Sequence, residues 1–301
     1  MTMKATALVA LVAALSSTSA SAFLCTRTPN FGPSVAWNER SVVVHRSGGG
    51  AEVSEADVDE ALARGAAAWS DVDCSDLVVS VGAPTAQRIV GFDWHKGSDD
   101  PANQNIVVFR NHQPETSPED PLDEWLHTFG ALAITTVTFE STSGRLVDAD
   151  IEVNDVSFDF TACDPGTAGC SVDFDLQNTL THELGHVIGL DHPPTSQPDA
   201  GLATMFASAA AGDVEKRTLA ADDADAVCTI YPAGAPVGEC FGVGRPDPPA
   251  VRFEQTLCAS TGPDGVGLAA LLALFVGVPR VGRRRAPAAP AQNATGPAAI
   301  H

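Results

Sequence analysis

The sequence predicts an α+β fold in which five β-strands accompany three helices. Runs rich in β-branched and apolar residues predict strands at residues 37–45, 77–81, 105–110, 132–139 and 145–154. The first helix begins after Ser54, a suitable N-cap, and its apolar residues share one face at helical spacing: Val58, Leu62, Ala66 and Trp69. Two more helices are predicted at residues 176–188, behind the candidate cap Asp175, and at residues 220–231.

Length and charge restrict the function classes. The 301 residues suffice for one core of about 200 residues with extensions. Asp and Glu number 38 against 17 Lys and Arg, which gives a formal net charge of −21. This balance argues against a nucleic-acid partner, which needs a basic surface. It fits a soluble secreted protein or one that attracts cations, and a solvated acidic surface is the simpler of the two explanations.

Residues 1–22 have the features of an export signal. Lys4 supplies a basic start, residues 5–15 form an apolar run, and Ala20-Ser21-Ala22 has the small-x-small cleavage pattern. The apolar run is shorter than a membrane-spanning helix. We therefore expect cleavage after Ala22 and an extracellular or outer-membrane-associated protein, most simply a monomer.

Seven cysteines in an exported chain indicate disulfides and not catalytic thiols. Cys258 is the cysteine left over when six are paired. Spacing does not determine connectivity, but nearness and position in the chain favour three pairs: Cys163–Cys170, Cys228–Cys240 and Cys25–Cys74.

The residues with the clearest chemistry are His182, Glu183, His186 and His192, in the second predicted helix and just after it. Side chains four apart on a helix point the same way, so His182 and His186 can bind one metal ion. Gly189 can adopt the left-handed conformation that ends a helix, which lets His192 turn back to the same ion. Three nitrogen ligands with an open fourth position predict one catalytic Zn²⁺.

Glu183 follows the first ligand and is expected to act as a general base. Zinc lowers the pKa of a coordinated water towards about 7, so a carboxylate can remove its proton near neutrality. Glu183 would then pass that proton to the leaving amine of a cleaved peptide bond. Surface histidines on an ordinary helix are the alternative, and the third histidine at the required spacing argues against it.

These residues form the pattern H-E-x-x-H-x-x-G-x-x-H, and the chain resembles the metzincin zinc peptidases that carry it. Met205, in Ala203-Thr204-Met205-Phe206, resembles the methionine turn that lies beneath the zinc in that family. Asp222 and Asp223 resemble the paired aspartates of the closing helix in the matrixin branch, where they have structural roles. The likeness covers about residues 35–232 and implies a twisted, mixed five-stranded sheet with an active-site helix and two further helices.

The resemblance also implies how substrate binds. Residues 132–139 correspond to the edge strand of the cleft, so Leu132, Ala133, Ile134 and Thr135 are expected to pair with an extended polypeptide. That arrangement implies an endopeptidase. Separately, four acidic residues in or beside one predicted strand are candidates for Ca²⁺ binding, although solvated carboxylates explain them equally well: Asp148, Asp150, Glu152 and Asp155.

The chain departs from the animal matrixins in three ways. Cys25 lacks the motif of their latency cysteine, so no cysteine switch is expected. No histidine lies between His127 and His182, which removes the ligands of their second, structural zinc. Met205 is not followed two positions later by the tyrosine that serves as a fifth ligand in some metzincins. The chain is therefore closer to a bacterial type.

Three segments follow a catalytic domain expected at residues 23–232. Residues 233–258 are rich in Pro and Gly and predict a linker. Residues 259–285 combine an apolar run with Arg283-Arg284-Arg285, and residues 286–301 form an Ala/Pro tail. Cys258, the apolar run and the arginines resemble the tripartite C-terminal sorting tags of Gram-negative bacteria. They favour membrane or cell-surface attachment over a helix packed on the domain, although the tail departs from that pattern.

Two other functions remain compatible with the sequence. One is a catalytically idle adhesion or binding module on the same scaffold, which the intact ligands and Glu183 disfavour. The other is a metallohydrolase of small peptides or amides, against which the predicted edge strand argues.

Overall fold

A computed structural model describes residues 23–48, 51–114, 120–168, 170–171, 173–197 and 199–240, with two backbone strands further on at 255–257 and 298–299. The predicted export signal, Cys258, the apolar run and the arginine cluster lie outside the described residues. The helices are α1 (Glu55–Ser70), α2 (Leu176–Val187) and α3 (Ala221–Ile230). The strands are β1 (Leu24–Cys25), β2 (Ser41–Arg46), β3 (Val78–Val81), β4 (Asn105–Arg110), β5 (Ala133–Phe139), β6 (Leu146–Asn154), β7 (Phe160–Thr161), β8 (Phe174–Asp175), β9 (Leu190–Asp191), β10 (Ser208–Ala209), β11 (Gln255–Leu257) and β12 (Ala298–Ala299).

The five predicted strands form one mixed sheet, in the order β5-β6-β4-β2-β3. Strands β3, β2, β4 and β6 run parallel, and β5 is antiparallel to β6. The prediction of an α+β fold with a mixed five-stranded sheet and three helices is confirmed. The backbone of β11 adds a short antiparallel strand along Thr136–Thr138 of β5.

The first predicted strand begins later than expected, at Ser41 and not at Trp37. Trp37 is held by contacts outside the sheet, because its backbone N–H donates to Tyr231 Oη at 3.1 Å and its indole Nε1 donates to Val187 O at 2.8 Å. These bonds fix the segment before β2 against the ends of α2 and α3. A β-like composition at Trp37 therefore reflects burial and not strand pairing.

Helix α1 begins as its sequence predicts and supports α2. Ser54 is the N-cap, and its Oγ accepts a hydrogen bond from Asp57 N at 3.2 Å. The predicted apolar face is buried, and Trp69 on it donates from Nε1 to Thr181 O at 2.7 Å. A Cβ at Gly65 would lie 3.0 Å from Thr181 Oγ1, so the two helices pack closely at that point. Helix α2 is thereby held between α1 and the sheet.

Two of the three predicted disulfides are wrong. Cys163–Cys170 is confirmed, whereas the other four cysteines pair as Cys25–Cys240 and Cys74–Cys228. Ala233 N donates to Cys74 O at 3.0 Å, which brings the loop after α1 beside the segment that follows α3. Cys240 N donates to Ser34 Oγ at 2.9 Å, which brings Cys240 beside the N-terminal segment. Tertiary packing thus gives Cys25 and Cys74 disulfide partners other than those predicted from nearness in the sequence.

Among the described residues, no helix combines the length and the apolar composition needed to cross a membrane.

Candidate metal centre

Helix α2 is fixed at its start by a buried cap. Asp175 accepts a hydrogen bond at Oδ1 from Asn178 N at 2.7 Å, as its position before the helix predicts. Arg217 pairs with the same carboxylate, with Nη2 2.5 Å from Oδ2 and Nε 2.9 Å from Oδ1. Because every residue of α2 is buried, the helix presents its histidines from inside the domain.

Gly189 turns the chain at the end of α2, and this turn brings His192 to the site. Gly189 has φ = +93°, a conformation that side-chain-bearing residues rarely adopt. A Cβ there would lie 2.1 Å from Val35 O, so the position also has no room for one. The short strand β9 follows at once and pairs with β1, which holds the segment that carries His192.

The three predicted histidine ligands converge on one point. His192 Nε2 lies 3.1 Å from His182 Nε2 and 3.0 Å from His186 Nε2. Tetrahedral zinc with bonds of about 2.0–2.1 Å needs ligand atoms about 3.3 Å apart, which is close to these distances. Within the described part of the chain, this is the one group of three or more candidate ligands close enough to hold an ion.

The opposite ring nitrogens fix the chemical state of two ligands. His182 Nδ1 lies 2.6 Å from Thr204 O, and His186 Nδ1 lies 2.8 Å from Leu190 O. A carbonyl only accepts, so each Nδ1 carries the proton and each Nε2 presents a lone pair to the centre. Burial lowers the pKa of both imidazoles and keeps them neutral, as metal ligands must be. Converging lone pairs without a proton between them fit a bound cation.

Met205 lies directly beneath α2. A Cβ at Gly185 would meet Met205 Sδ at 2.2 Å, so the glycine allows the methionine to approach the helix between the two ligand turns. Asp223 holds the turn in place, because its carboxylate accepts hydrogen bonds from Thr204 N at 2.7 Å and Met205 N at 3.1 Å. The same Oδ2 accepts from Ala220 N at 3.0 Å, which ties the turn to the start of α3. Asp222 is half-buried beside it in the first turn of α3.

Glu183 is fully buried on α2 between the sheet and the ligands. Its Oε2 accepts a hydrogen bond from Thr135 Oγ1 at 2.6 Å. Thr135 lies on β5, so one of the residues expected to line the substrate cleft contacts the candidate base. The sequence analysis assigned Thr135 only to the edge strand, and no local pattern could have indicated this contact across 48 residues.

Comparison with known proteins supports the same assignment. A family model described as matrixin matches residues 36–232, more than half of the chain. The chain belongs to the matrixin family. Membership indicates a zinc-dependent metalloprotease, and the three-histidine centre of this matrixin fits the catalytic zinc site. None of the curated proteins matches the chain.

Strand β5, which was expected to line the substrate cleft, contacts α2 at Glu183. Leu132 and Ala133 are fully buried, Ile134 is nearly so, and Asn154 N donates to Leu132 O at 2.9 Å. The paired stretch Thr136–Thr138 is covered on its outer side by β11, whereas that pairing does not extend to residues 133–135. Among the described residues, Ala133, Ile134 and Thr135 pair with β6 and with no second strand.

The four candidate calcium ligands do not form a common ligand set, since the described residues gather only the histidines closely enough. Glu152 instead forms an ion pair with Arg110 Nε and a hydrogen bond with His127 Nε2, each at 2.8 Å. These partners lower the pKa of Glu152 against the opposing effect of its burial. Asp155 accepts a hydrogen bond from Glu52 N at 2.8 Å.

Asp148 and Asp150 are each only 1 % exposed, so the alternative of solvated carboxylates is wrong for this pair. Asp150 accepts hydrogen bonds from Gly91 N at 2.6 Å and Ile106 N at 2.9 Å. Neither oxygen of Asp148 accepts a hydrogen bond from a backbone or cationic donor of the described residues. Burial raises the pKa of Asp148 to about 6 and that of Asp150 well above its usual range. The two carboxyl groups thus share a proton more readily than exposed ones would.

Proposed function

We propose that this matrixin is an exported endopeptidase that hydrolyses polypeptides with one zinc ion and Glu183 as general base. The observation that carries the proposal is the geometry at α2. Three imidazole Nε2 atoms converge from His182, His186 and His192, with a buried carboxylate on the residue after the first of them. A binding module has no need of that carboxylate, which makes the idle scaffold the weaker alternative.

The chain's own residues supply positioning and proton transfer. A zinc ion held by the three imidazoles supplies Lewis acidity, which activates a water and polarises a peptide carbonyl. Thr135 orients the Glu183 carboxylate from the sheet side. Glu183 accepts the proton of the attacking water and donates it to the leaving nitrogen. Its burial excludes bulk water, so proton transfer is confined to the reacting groups.

Substrate is proposed to bind as an added strand on β5. Among the described residues no second strand pairs with residues 133–135 next to Glu183, and backbone pairing there would hold an extended chain in register with the metal. A substrate that binds through its backbone needs no free terminus. This supports internal cleavage of polypeptides over hydrolysis of small amides.

Export is proposed because the six described cysteines are all paired in disulfides. Such pairing is typical of chains that fold outside the reducing cytosol. Attachment through residues 259–285, and monomeric assembly, stay predictions from the sequence. A calcium ion is proposed only at Asp148 and Asp150, because the buried oxygens of Asp148 accept no hydrogen bond from a backbone or cationic donor of the described residues.

Casein and gelatin cleavage test the proposed activity. The full exported chain should cleave both, lose activity with a chelator and regain it with added zinc. Glu183→Ala should abolish cleavage while metal analysis still finds one zinc per chain. The matched control is Glu140→Ala, an exposed carboxylate that forms an ion pair with Arg145, which should keep full activity. Wild-type protein that holds zinc and cleaves no polypeptide would favour the idle binding module.

A further inference from the structure

Lys216 lies buried beside the metal centre, in the 3₁₀ turn Glu215–Arg217, and is only 5 % exposed. Its backbone N–H donates to Asn178 Oδ1 at 2.7 Å. Asn178 lies one helical turn before His182, so both point from the same face of α2. The Lys216 ammonium donates to Phe206 O, on the residue directly after Met205. Lys216 therefore lies between the ligand-bearing face of α2 and the methionine turn.

The ammonium has more donors than its surroundings satisfy. A lysine carries three N–H donors, and Phe206 O is the one acceptor within hydrogen-bonding distance of Nζ among the described residues. In that part of the chain, no carboxylate oxygen lies within 4.0 Å of Nζ. Burial lowers the pKa of Lys216 to about 8, against the opposing charges of Asp213, Glu183 and Asp223. A buried cation with spare donors is typical of a site where a ligand completes the pairing.

The three acidic groups whose charges act on Lys216 accept hydrogen bonds from other donors. Asp213, which has the largest effect, accepts one from Glu215 N at 3.0 Å. Asp223 accepts hydrogen bonds from three backbone N–H groups, and Glu183 accepts one from Thr135. Both carboxylates are thus oriented by those contacts. Phe206 is only half-buried, and its ring centroid lies 5.8 Å from Nζ, so a side chain that enters beside this ring comes within reach of the ammonium.

We propose that Lys216 gives this matrixin a preference for substrates with a Glu or Asp side chain next to the scissile bond. The carboxylate enters between α2 and Phe206 and pairs with the ammonium. This specificity rests on the proposed peptidase function. The charge of Lys216 selects the ligand, since a carboxylate satisfies a buried ammonium and a neutral amide or aliphatic side chain does not.

Matched peptides test the preference on the full, zinc-loaded chain. Each peptide carries Glu or its neutral isostere Gln at one position flanking the cleaved bond, and kcat/KM is measured for both. Wild type should cleave the Glu peptide at least tenfold better at one adjacent position. Lys216→Met should abolish that ratio, and Lys216→Arg, which keeps the charge, should retain most of it. The matched control is Lys96→Met, because Lys96 is exposed and already lies near Asp93 and Asp100.

The outcomes separate the specificity from the activity. Equal cleavage of Glu and Gln peptides by wild type would overturn the role of Lys216 and leave the peptidase intact. An unchanged ratio in Lys216→Met would also overturn it and would assign Lys216 to bracing Phe206. If Lys216→Met fails to fold, shown by a lost thermal transition, the wild-type ratio and Lys216→Arg still decide. Cleavage of no peptide at all by zinc-loaded wild type would reject the proposed function itself.

Discussion

The hydroxyl of Thr135 donates a hydrogen bond to the carboxylate of Glu183 over 2.6 Å. Thr135 comes from strand β5 and Glu183 from helix α2, so the contact joins the proposed substrate-binding strand to the candidate base. Helix α2 fixes the position of the Glu183 backbone, and the hydrogen bond from β5 orients its carboxylate. A change in β5 can therefore alter proton transfer without contacting the metal ligands.

Replacing Thr135 should show this coupling. Thr135→Val keeps the shape and the strand preference but removes the donor, and should lower kcat by roughly tenfold with KM little changed. Thr135→Ser retains the hydroxyl and should retain most of kcat. Steady-state kinetics on one peptide substrate checks both. Equal kcat for Val and wild type would show that the hydroxyl has no part in positioning the carboxylate.

Asp223 should couple stability to zinc affinity. Asp223→Asn replaces one carboxylate oxygen, which accepts hydrogen bonds from backbone N–H groups, by an NH₂ group that cannot accept them. This change should lower the free energy of unfolding by about 1–3 kcal/mol. The loosened turn also carries Thr204 O, which orients His182, so zinc affinity should fall about tenfold. Urea denaturation and competition with a zinc indicator measure the two effects. Asp225→Asn, exposed on the same helix, is the control and should change neither.

The Asp148 carboxyl should make stability depend on pH. Its folded pKa of about 6 exceeds the unfolded value near 3.9, so ionisation opposes folding above about pH 6, and this penalty disappears as the pH falls to about 4. Asp148→Asn should therefore stabilise the protein, by on the order of 2 kcal/mol above pH 6 and by little at pH 4. Denaturation of both proteins across this range gives the difference. A constant difference at all pH values would contradict the assignment.

Calcium binding by Asp148 can be tested through the melting temperature. If Asp148 and Asp150 hold Ca²⁺, adding the ion at pH 7.5 should raise the melting temperature of wild type and not of Asp148→Asn, because a ligand stabilises only the form that binds it. The same rise in both proteins would place any calcium elsewhere.

The long-range disulfides should stabilise the fold more than the local one. Cys74–Cys228 joins residues 154 apart, whereas Cys163–Cys170 joins residues 7 apart. On the chain-entropy model, replacing the first pair by serines should lower the free energy of unfolding by about 2–3 kcal/mol more than replacing the second. Chemical denaturation of the two double variants with zinc bound provides the comparison. Equal losses would mean that native contacts near the cysteines outweigh loop length.

Features that depend on local spacing could be predicted from the residue pattern. His182 and His186 share a helix face because four residues make about one turn, and Gly189 ends that helix because glycine tolerates the left-handed conformation. The caps Ser54 and Asp175 and the strand Asn105–Arg110 are found where the residue pattern places them, for the same reason. These interactions involve residues only a few positions apart.

Features that depend on packing between distant segments could not be predicted from the residue pattern. The partner of Cys25 is Cys240 and not Cys74, because the N-terminal segment lies beside the chain that follows α3. Asp148 is buried in β6, where Thr138 of β5 lies opposite it and the carboxyl group of Asp150 lies beside it. A pattern of acidic or apolar residues can predict which side chains share one face of a strand. It does not predict which other segments pack on that face. Burial and partner choice, which set the charge state of Asp148 and the position of Lys216, follow only when the elements pack together.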